Sequence, residues 1–392
     1  MSGYLKGFEC LVCSEFCPAD YEGYLCPACG GNLDAVYDYD EIKKELSVGI
    51  LKSNANRNMW RYKPLFPIET LSSVPPLEMT MSPLYRYVGL EKDTGLSKVY
   101  IKDDTRMPSG SFKDRASSVV MAVAREKKVT TVSCASTGNA GSSWACMGAA
   151  CGMEVVIFVP ASAPRAKIAQ LRVYGARIEL VDGNYDLAYD LSIADSKKTG
   201  SFNRCTGYNP YTREGKKSVS YEIWEDLGYK APGSVFVPAG DGNIISGVWK
   251  GFRDLLALGL IEKMPVLFAS QSKRSDAITR MIESAEGDLE KLKVSSVSAT
   301  TIADSISVDT PRDGYAAARA VIETGGQGVR VADEKIIESI WEIASRIGVF
   351  AEPAAATSVA ALKEAVKSGI EIPTPAVCLI TGNGLKDVDA VL

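Results

Sequence analysis

From Ser97 onward the sequence alternates short β-branched runs with stretches of helical periodicity, and that alternation restricts the fold more than any other feature. Residues 98–102, 129–133, 155–159, 177–181, 234–237, 266–269 and 376–380 read as strands. Helical periods fill the gaps, for example 116–124, 140–150, 216–227 and 334–347. Strands separated by helices pair in parallel, and the resulting sheets are covered by helices on both faces. The fold class is therefore α/β, and ligands are expected beyond the carboxyl ends of the strands. A length of 392 residues suits two such domains with a small appendage. The expected division is an N-terminal module over residues 1–45, a large α/β domain from 46–125 and 205–392, and a small α/β domain from 126–204.

Composition narrows the function. Apolar residues make up 46% of the chain and charges of both signs are mixed, an ordinary globular make-up. A net charge of -4 gives no electrostatic footprint for a nucleic acid. No apolar run reaches the length of a membrane span, and the N-terminus lacks the apolar core of a signal peptide. The expected setting is the cytoplasm, with a small molecule as partner. Histidine is absent. That removes Ser-His-Asp and Cys-His catalysis, histidine-ligated metals and histidine proton shuttles. Proton transfer falls to Lys, Asp, Glu, Tyr or Cys, which favours a lysine-centred mechanism.

One lysine stands out. Pro108-Ser109-Gly110-Ser111-Phe112-Lys113-Asp114-Arg115 seats Lys113 in a turn of small residues just before an apolar helical run. A cation at a helix N-terminus is poorly placed for the helix dipole, whereas a lysine consumed as a Schiff base to an aldehyde cofactor is suited to such a turn. A solvated surface lysine is the alternative. Other informative turns also fall at strand ends. Ser136-Thr137-Gly138-Asn139 opens a helix and suits either an anion cradle or simple capping. Gly240-Asp241-Gly242-Asn243 lets backbone amides wrap an anion. A dinucleotide fingerprint fails there, because Ile245 stands at the third glycine position and Glu262 precedes the next strand. After the last strand, the hydroxyl of Thr381 suits an unprotonated pyridine nitrogen, or an ordinary turn.

The ten cysteines fall into two groups. Cys134, Cys146, Cys151, Cys205 and Cys378 sit in apolar surroundings, as small buried hydrophobes do. Cys10-x-x-Cys13 and Cys26-x-x-Cys29 form two knuckles separated by twelve residues, a spacing that suits a closed, structural zinc site. Disulfides or a redox pair are the competing readings, and Cys17 lies in neither knuckle. A segment this short gains its stability from the metal.

Taken together, SGSFKDR (109–115), ASTGNAG (135–141), the run from Pro164 to Ala176, NPYTREGKK (209–217), GDGNIISG (240–247), FAEPAAA (350–356) and TGNGLKD (381–387) resemble the fold-type II pyridoxal-phosphate enzymes, and among them the threonine synthases. The likeness runs from about Ser82 to the C-terminus, and the cysteine knuckles resemble the N-terminal ribbon of some of those enzymes. It implies two parallel-sheet α/β domains and a pyridoxal 5'-phosphate cofactor, with Lys113 as the covalent anchor and acid/base. Asn139 would bond the cofactor's 3'-oxygen, and Gly240, Asp241, Gly242 and Asn243 would hold its phosphate. Thr381 would face its ring nitrogen, and Glu352 would line its pocket. Ser136, Thr137 and Gly138 would bind the substrate carboxylate. A homodimer is implied as well.

The implied activity is that of a carbon–oxygen lyase acting on phosphate, turning O-phospho-L-homoserine and water into L-threonine and phosphate. One position departs from the pattern. Many relatives read NPxRxEG where this chain has Thr212, with Arg213 displaced by one residue. The substrate phosphate is thus left to Arg213, Lys216 or Lys217, and the physiological substrate stays open. Alternatives are a threonine or serine dehydratase, a cysteate or cysteine synthase-like enzyme, or a binding protein whose working part is the ribbon.

Overall fold

Short β-branched runs make most strands of the two larger sheets of the protein, described for residues 3–392 by a computed structural model; the first two residues of the expected N-terminal module lie outside. β1 (Leu5–Cys10), β2 (Phe16–Pro18) and β3 (Leu33–Tyr37) form an antiparallel sheet in the order β2-β1-β3. β4 (Leu84–Arg86) and β5 (Val99–Asp103) begin a six-stranded sheet. β6 (Thr131–Ala135), β7 (Glu154–Pro160), β8 (Arg177–Val181) and β9 (Phe202–Asn203) build a four-stranded sheet in the order β8-β7-β6-β9. β10 (Ser234–Pro238), β11 (Val266–Ser272), β12 (Gly328–Val331) and β13 (Ala376–Ile380) complete the larger one, ordered β12-β11-β10-β13-β5-β4. Both larger sheets are parallel, apart from the antiparallel edge pair β4–β5.

Two units emerge, one from residues 1–42, 56–80 and 107–216, the other from 43–55, 81–106 and 217–392. The first holds the antiparallel sheet and the four-stranded sheet. Helix Lys113–Glu126 belongs to it and packs on helix Asn139–Cys151 and on the short helix Tyr211–Lys216. Every residue of helix Lys113–Glu126 from Asp114 to Ala124 is buried, so only the two ends of the helix reach the surface.

The second unit is built on the six-stranded sheet. β10 and β13 are buried along their whole length, as the unbroken runs SVFVP and AVCLI require of central parallel strands. Phe236 and Phe268 stack across β10 and β11 with ring centroids 4.4 Å apart. Two buried charge clusters complete this core. Lys102 pairs with Glu222 and Asp226, each at 3.0 Å. Asp254 lies between Lys217 (2.9 Å) and Lys250 (2.8 Å) and accepts from the Tyr221 hydroxyl at 2.5 Å.

The expected strands all appear, with ends shifted by at most two residues except that the one expected at 266–269 runs on to Ser272. The strand expected at 129–133 begins later because the Val129 amide bonds to Ala124 O and prolongs the helical turn. The helix expected over 216–227 is two helices, Tyr211–Lys216 and Ser218–Asp226. Among the described residues, no helix is long and apolar enough to cross a membrane.

Burial works against ionisation of Asp254, but Lys217 and Lys250 outweigh it and hold the carboxyl below its usual range. Asp254→Asn leaves two ammonium groups buried without a counter-charge and is expected to lower unfolding free energy by ~3–5 kcal/mol in urea titrations. A depressed carboxyl stabilises the fold above its unfolded-state pKa of about 3.9 and loses that contribution as pH falls through the folded value. The gap between wild type and variant is therefore expected to narrow below about pH 4.

Candidate active site

In the first unit the lysine turn is fastened by its own aspartate. Asp114 accepts from Ser109 N at 2.7 Å and from Ser109 Oγ at 2.6 Å, which draws the SGS turn against the start of the helix. Lys113 is the first residue of that helix and is partly buried, while Arg115 turns inward over the Phe112 ring, 5.6 Å from its centroid. Ser111 Oγ is fully enclosed beside it and has no partner among the described residues. A buried hydroxyl without a partner is costly unless something else accepts from it or donates to it.

Helix Asn139–Cys151 starts at the carboxyl end of β6, with buried Asn139 as its first residue. Its N-cap is Gly138, which forms no side-chain cap, so serine or threonine capping does not account for this turn. Ser136 Oγ instead accepts from Gly138 N at 3.2 Å. A hydrogen bond of 2.8 Å from Ser143 to Ser117 ties this helix to the lysine helix. Ser117 is four residues after Lys113 and Ser143 four after Asn139. Residues four apart share a helix face, so this bond sets Lys113 and Asn139 one turn above a common anchor.

The NPYTREG segment packs on the same lysine helix. A Cβ at Gly215 would lie 2.0 Å from the Arg115 carbonyl oxygen, so only glycine permits this approach. Thr212 donates to Asn209 O (2.8 Å) and is buried. Arg213, expected at a substrate phosphate, is turned the other way. Its guanidinium donates to Leu33 O at 2.9 Å and pairs with Asp34 at 3.2 Å, both on β3. The one-residue shift of the arginine from position 212 is what aims it there. Lys216 is fully buried, and Lys217 belongs to the Asp254 cluster of the other unit.

Sequence reasoning passed over Arg204, directly after β9. It is 1% exposed, donates to Ser117 Oγ (3.4 Å) and Thr206 Oγ1 (2.8 Å), and leaves Nη2 without a partner among the described residues. A lone arginine following phenylalanine and asparagine carries no signal in the sequence; only strand pairing with β6 turns it inward.

In the second unit the expected residues gather at the carboxyl edge of the six-stranded sheet. Gly242 has φ +94° and caps helix Asn243–Ala257 without a side-chain bond. Asp241 accepts from Arg312 N at 2.6 Å, and Asn243 donates to Asp313 at 2.7 Å. Those side chains are spent on the 312–313 turn, which leaves backbone amides as the groups this loop can offer an anion. Ser270 Oγ, buried on β11 where its carbonyl accepts from Ala239 N, has no partner among the described residues. Thr381 follows β13 and is buried. Beside it, Glu352 N donates to Gly382 O at 2.9 Å, and the Glu352 carboxylate packs where a Gly382 side chain would stand.

The four knuckle cysteines converge as well. Their Sγ atoms all lie within 4.8 Å of one another, with Cys10–Cys29 at 3.5 Å and Cys13–Cys26 at 3.6 Å. Tetrahedral zinc with bonds of about 2.3 Å sets its sulfurs about 3.8 Å apart, so the cluster fits that ion. Val12 N and Gly31 N each donate to a sulfur at 3.4 Å. Burial pushes the Cys10 thiol up to about 12; against burial, the amides of Cys29 and Ala28 draw Cys26 down to about 7. Cys17 lies on β2 outside the group.

In the first unit, glycine at the N-cap position 138 and the Ser111 hydroxyl, without a partner among the described residues, suit a polar ligand. In the second, glycine at the N-cap position 242 and the Ser270 hydroxyl, likewise without a partner among the described residues, suit an anion such as a phosphate. A family profile described as pyridoxal-phosphate dependent enzyme matches residues 77–382. The chain belongs to that family. It is 34% identical over 386 residues to a threonine synthase from Methanocaldococcus jannaschii, covering 98% of this chain and 94% of the relative. A threonine synthase from Methanosarcina acetivorans is 33% identical, with 98% and 93% covered. Among solved structures, processed threonine deaminase isoform 2 from Solanum lycopersicum superposes with a TM-score of 0.66 at 23% identity, covering 88% of this chain and 85% of that one. That last likeness shows the shared fold.

Gly215→Ala forces a methyl group against backbone that has no room to move, and overpacking of this kind costs ~1–3 kcal/mol or more. The variant is expected to unfold at lower urea concentration than wild type and to show faster proteolysis at 209–217.

Proposed function

We propose that this protein converts O-phospho-L-homoserine and water to L-threonine and phosphate, as a cytoplasmic homodimer with a structural zinc ion in its N-terminal module. The observation that carries this reading is the likeness to threonine synthases over 98% of the chain, a stretch that includes the cysteine module. Bound pyridoxal phosphate supplies an electron sink that acidifies hydrogens near the substrate nitrogen. Lys113 would hold the cofactor through its amine, then take and return protons at the substrate's α and β carbons. Asn139 would donate to the cofactor's 3'-oxygen, and the backbone amides of Gly240–Asn243, with the Ser270 hydroxyl, would hold its phosphate. Thr381 offers the ring nitrogen a hydroxyl in place of a carboxylate, which leaves that nitrogen neutral and favours elimination and replacement. Glu352 would line the cofactor pocket, and Ser136, Thr137 and Gly138 would receive the substrate carboxylate.

The substrate's own phosphate needs a separate cation. Thr212 carries no charge and Arg213 is committed to Asp34, so we assign this role to Arg204. Its unpartnered nitrogen is the support for that choice, together with the partly exposed Thr206 beside it. Arg204→Met is expected to raise KM for phosphohomoserine about tenfold or more at unchanged cofactor uptake, with Arg204→Lys partly restoring it. An unaltered KM would return the phosphate to some other residue.

The reaction is tested by supplying phosphohomoserine and serine separately to the holoenzyme. Threonine and free phosphate are expected in equal amounts from the first, and no pyruvate from the second. Pyruvate from serine with no phosphate release would make the enzyme a dehydratase instead. Lys113→Ala is expected to lower turnover by at least about 10³-fold with the far-ultraviolet spectrum unchanged.

A further inference from the structure

The cysteine module is not an isolated appendage of the first unit. Aromatic rings join it to the stretch running from β9 through helix Tyr211–Lys216. Tyr24 meets Phe202 and Tyr208 at 5.7 and 4.8 Å, and Phe8 meets Tyr211 edge-on at 5.6 Å. Polar contacts are more telling, because they all spring from the strand that leaves the second knuckle. Asn32 donates to Gly207 O at 2.7 Å, Leu33 O and Asp34 receive Arg213, and the Tyr37 hydroxyl donates to Glu214 at 2.5 Å. Asn32 is three residues beyond Cys29, and Leu33 pairs in register with Cys10. Two of the four sulfurs are therefore one short strand away from the residues that grip this segment. On its other side the segment carries Arg204 and Thr206 and packs Gly215 on the lysine helix.

We infer that the metal-loaded module is a clamp on residues 206–214, setting substrate affinity by positioning that segment without touching the reactants. The inference rests on the proposed function only in taking this segment to border the substrate's phosphate. A module with three short strands keeps its shape through its metal, so loss of the ion loosens Asn32, Asp34 and Tyr37 together. Arg213 would then sit buried without its counter-charge and the segment would open to be solvated. Residues assigned to the cofactor lie outside the segment, so cofactor retention is insulated from the clamp. Asp34 and Tyr37 are positioning residues, acting through Arg213 and Glu214.

The test uses the holoenzyme and three variants, Asp34→Asn, Tyr37→Phe and Cys26→Ser. Hydrogen exchange of peptides covering 203–217, bound zinc, bound cofactor, and kcat and KM on phosphohomoserine are measured together. Asp34→Asn and Tyr37→Phe are expected to keep zinc and cofactor, to speed exchange in 203–217 about tenfold, and to raise KM about tenfold with kcat within about twofold. Cys26→Ser is expected to lose zinc and to reproduce the exchange change. Unchanged exchange in 203–217 in Asp34→Asn and Tyr37→Phe overturns the inference, as does a fall in kcat or cofactor content at constant KM. Should the wild type fail to release phosphate from phosphohomoserine, the reaction assignment falls while exchange still decides the clamp.

Discussion

Parallel strand pairing obliges every crossover helix to begin at the same edge of its sheet, and the chemistry of this protein depends on that constraint. A helix N-terminus presents unpaired amides, and a parallel sheet collects several of them beside one another. In the first unit this brings the Gly138–Asn139 start and the Arg204 turn to the carboxyl ends of β6 and β9. In the second it places the Gly242 start and the Thr381 turn on the neighbouring strands β10 and β13. Both helices have glycine at the N-cap, which brings no capping side chain of its own and suits the close approach of an anion.

Positive charge is the scarcer resource. Lys102, Lys217 and Lys250 are buried in ion pairs with Glu222, Asp226 and Asp254, and Arg213 is held by Asp34. Each is a structural cation, because removing a carboxylate partner would strand a charge away from water. Arg204 differs: two hydroxyls accept from it and one nitrogen has no partner among the described residues. In a chain without histidine, the few cations not committed to the fold decide which anions it can hold.

On the inferred clamp, a metal in the cysteine module would matter at a distance. Its four sulfurs would fill the coordination of a tetrahedral ion and leave no open position for substrate. Such an ion would offer rigidity to a segment too small to bury a core. Asn32 and β3 would pass that rigidity to Gly207, Arg213 and Glu214 through four polar contacts. The coupling we infer is mechanical and would need no change of oxidation or coordination state.

Much of this was legible in the order of residues. Unbroken apolar runs such as AVCLI and SVFVP marked the central strands, since nothing but a sheet covered on both faces buries such runs. The knuckle spacing marked four cysteines that converge, and SGSFKDR marked a lysine held at a helix start, because short-range turns and pairings are written in adjacent residues. Some edge strands were silent: β12 carries Arg330, β9 has two residues, and neither shows a period, whereas the edge strand β8 was legible. The direction of a side chain was silent too. Whether Arg213 or Arg204 faces an anion depends on strand register and on where a helix breaks, and those are settled by packing between segments far apart in the chain. Sequence thus determined which groups this protein possesses and which turns present them, while tertiary structure alone decided which charges were free to act, because a charge is neutralised by whatever the fold brings against it.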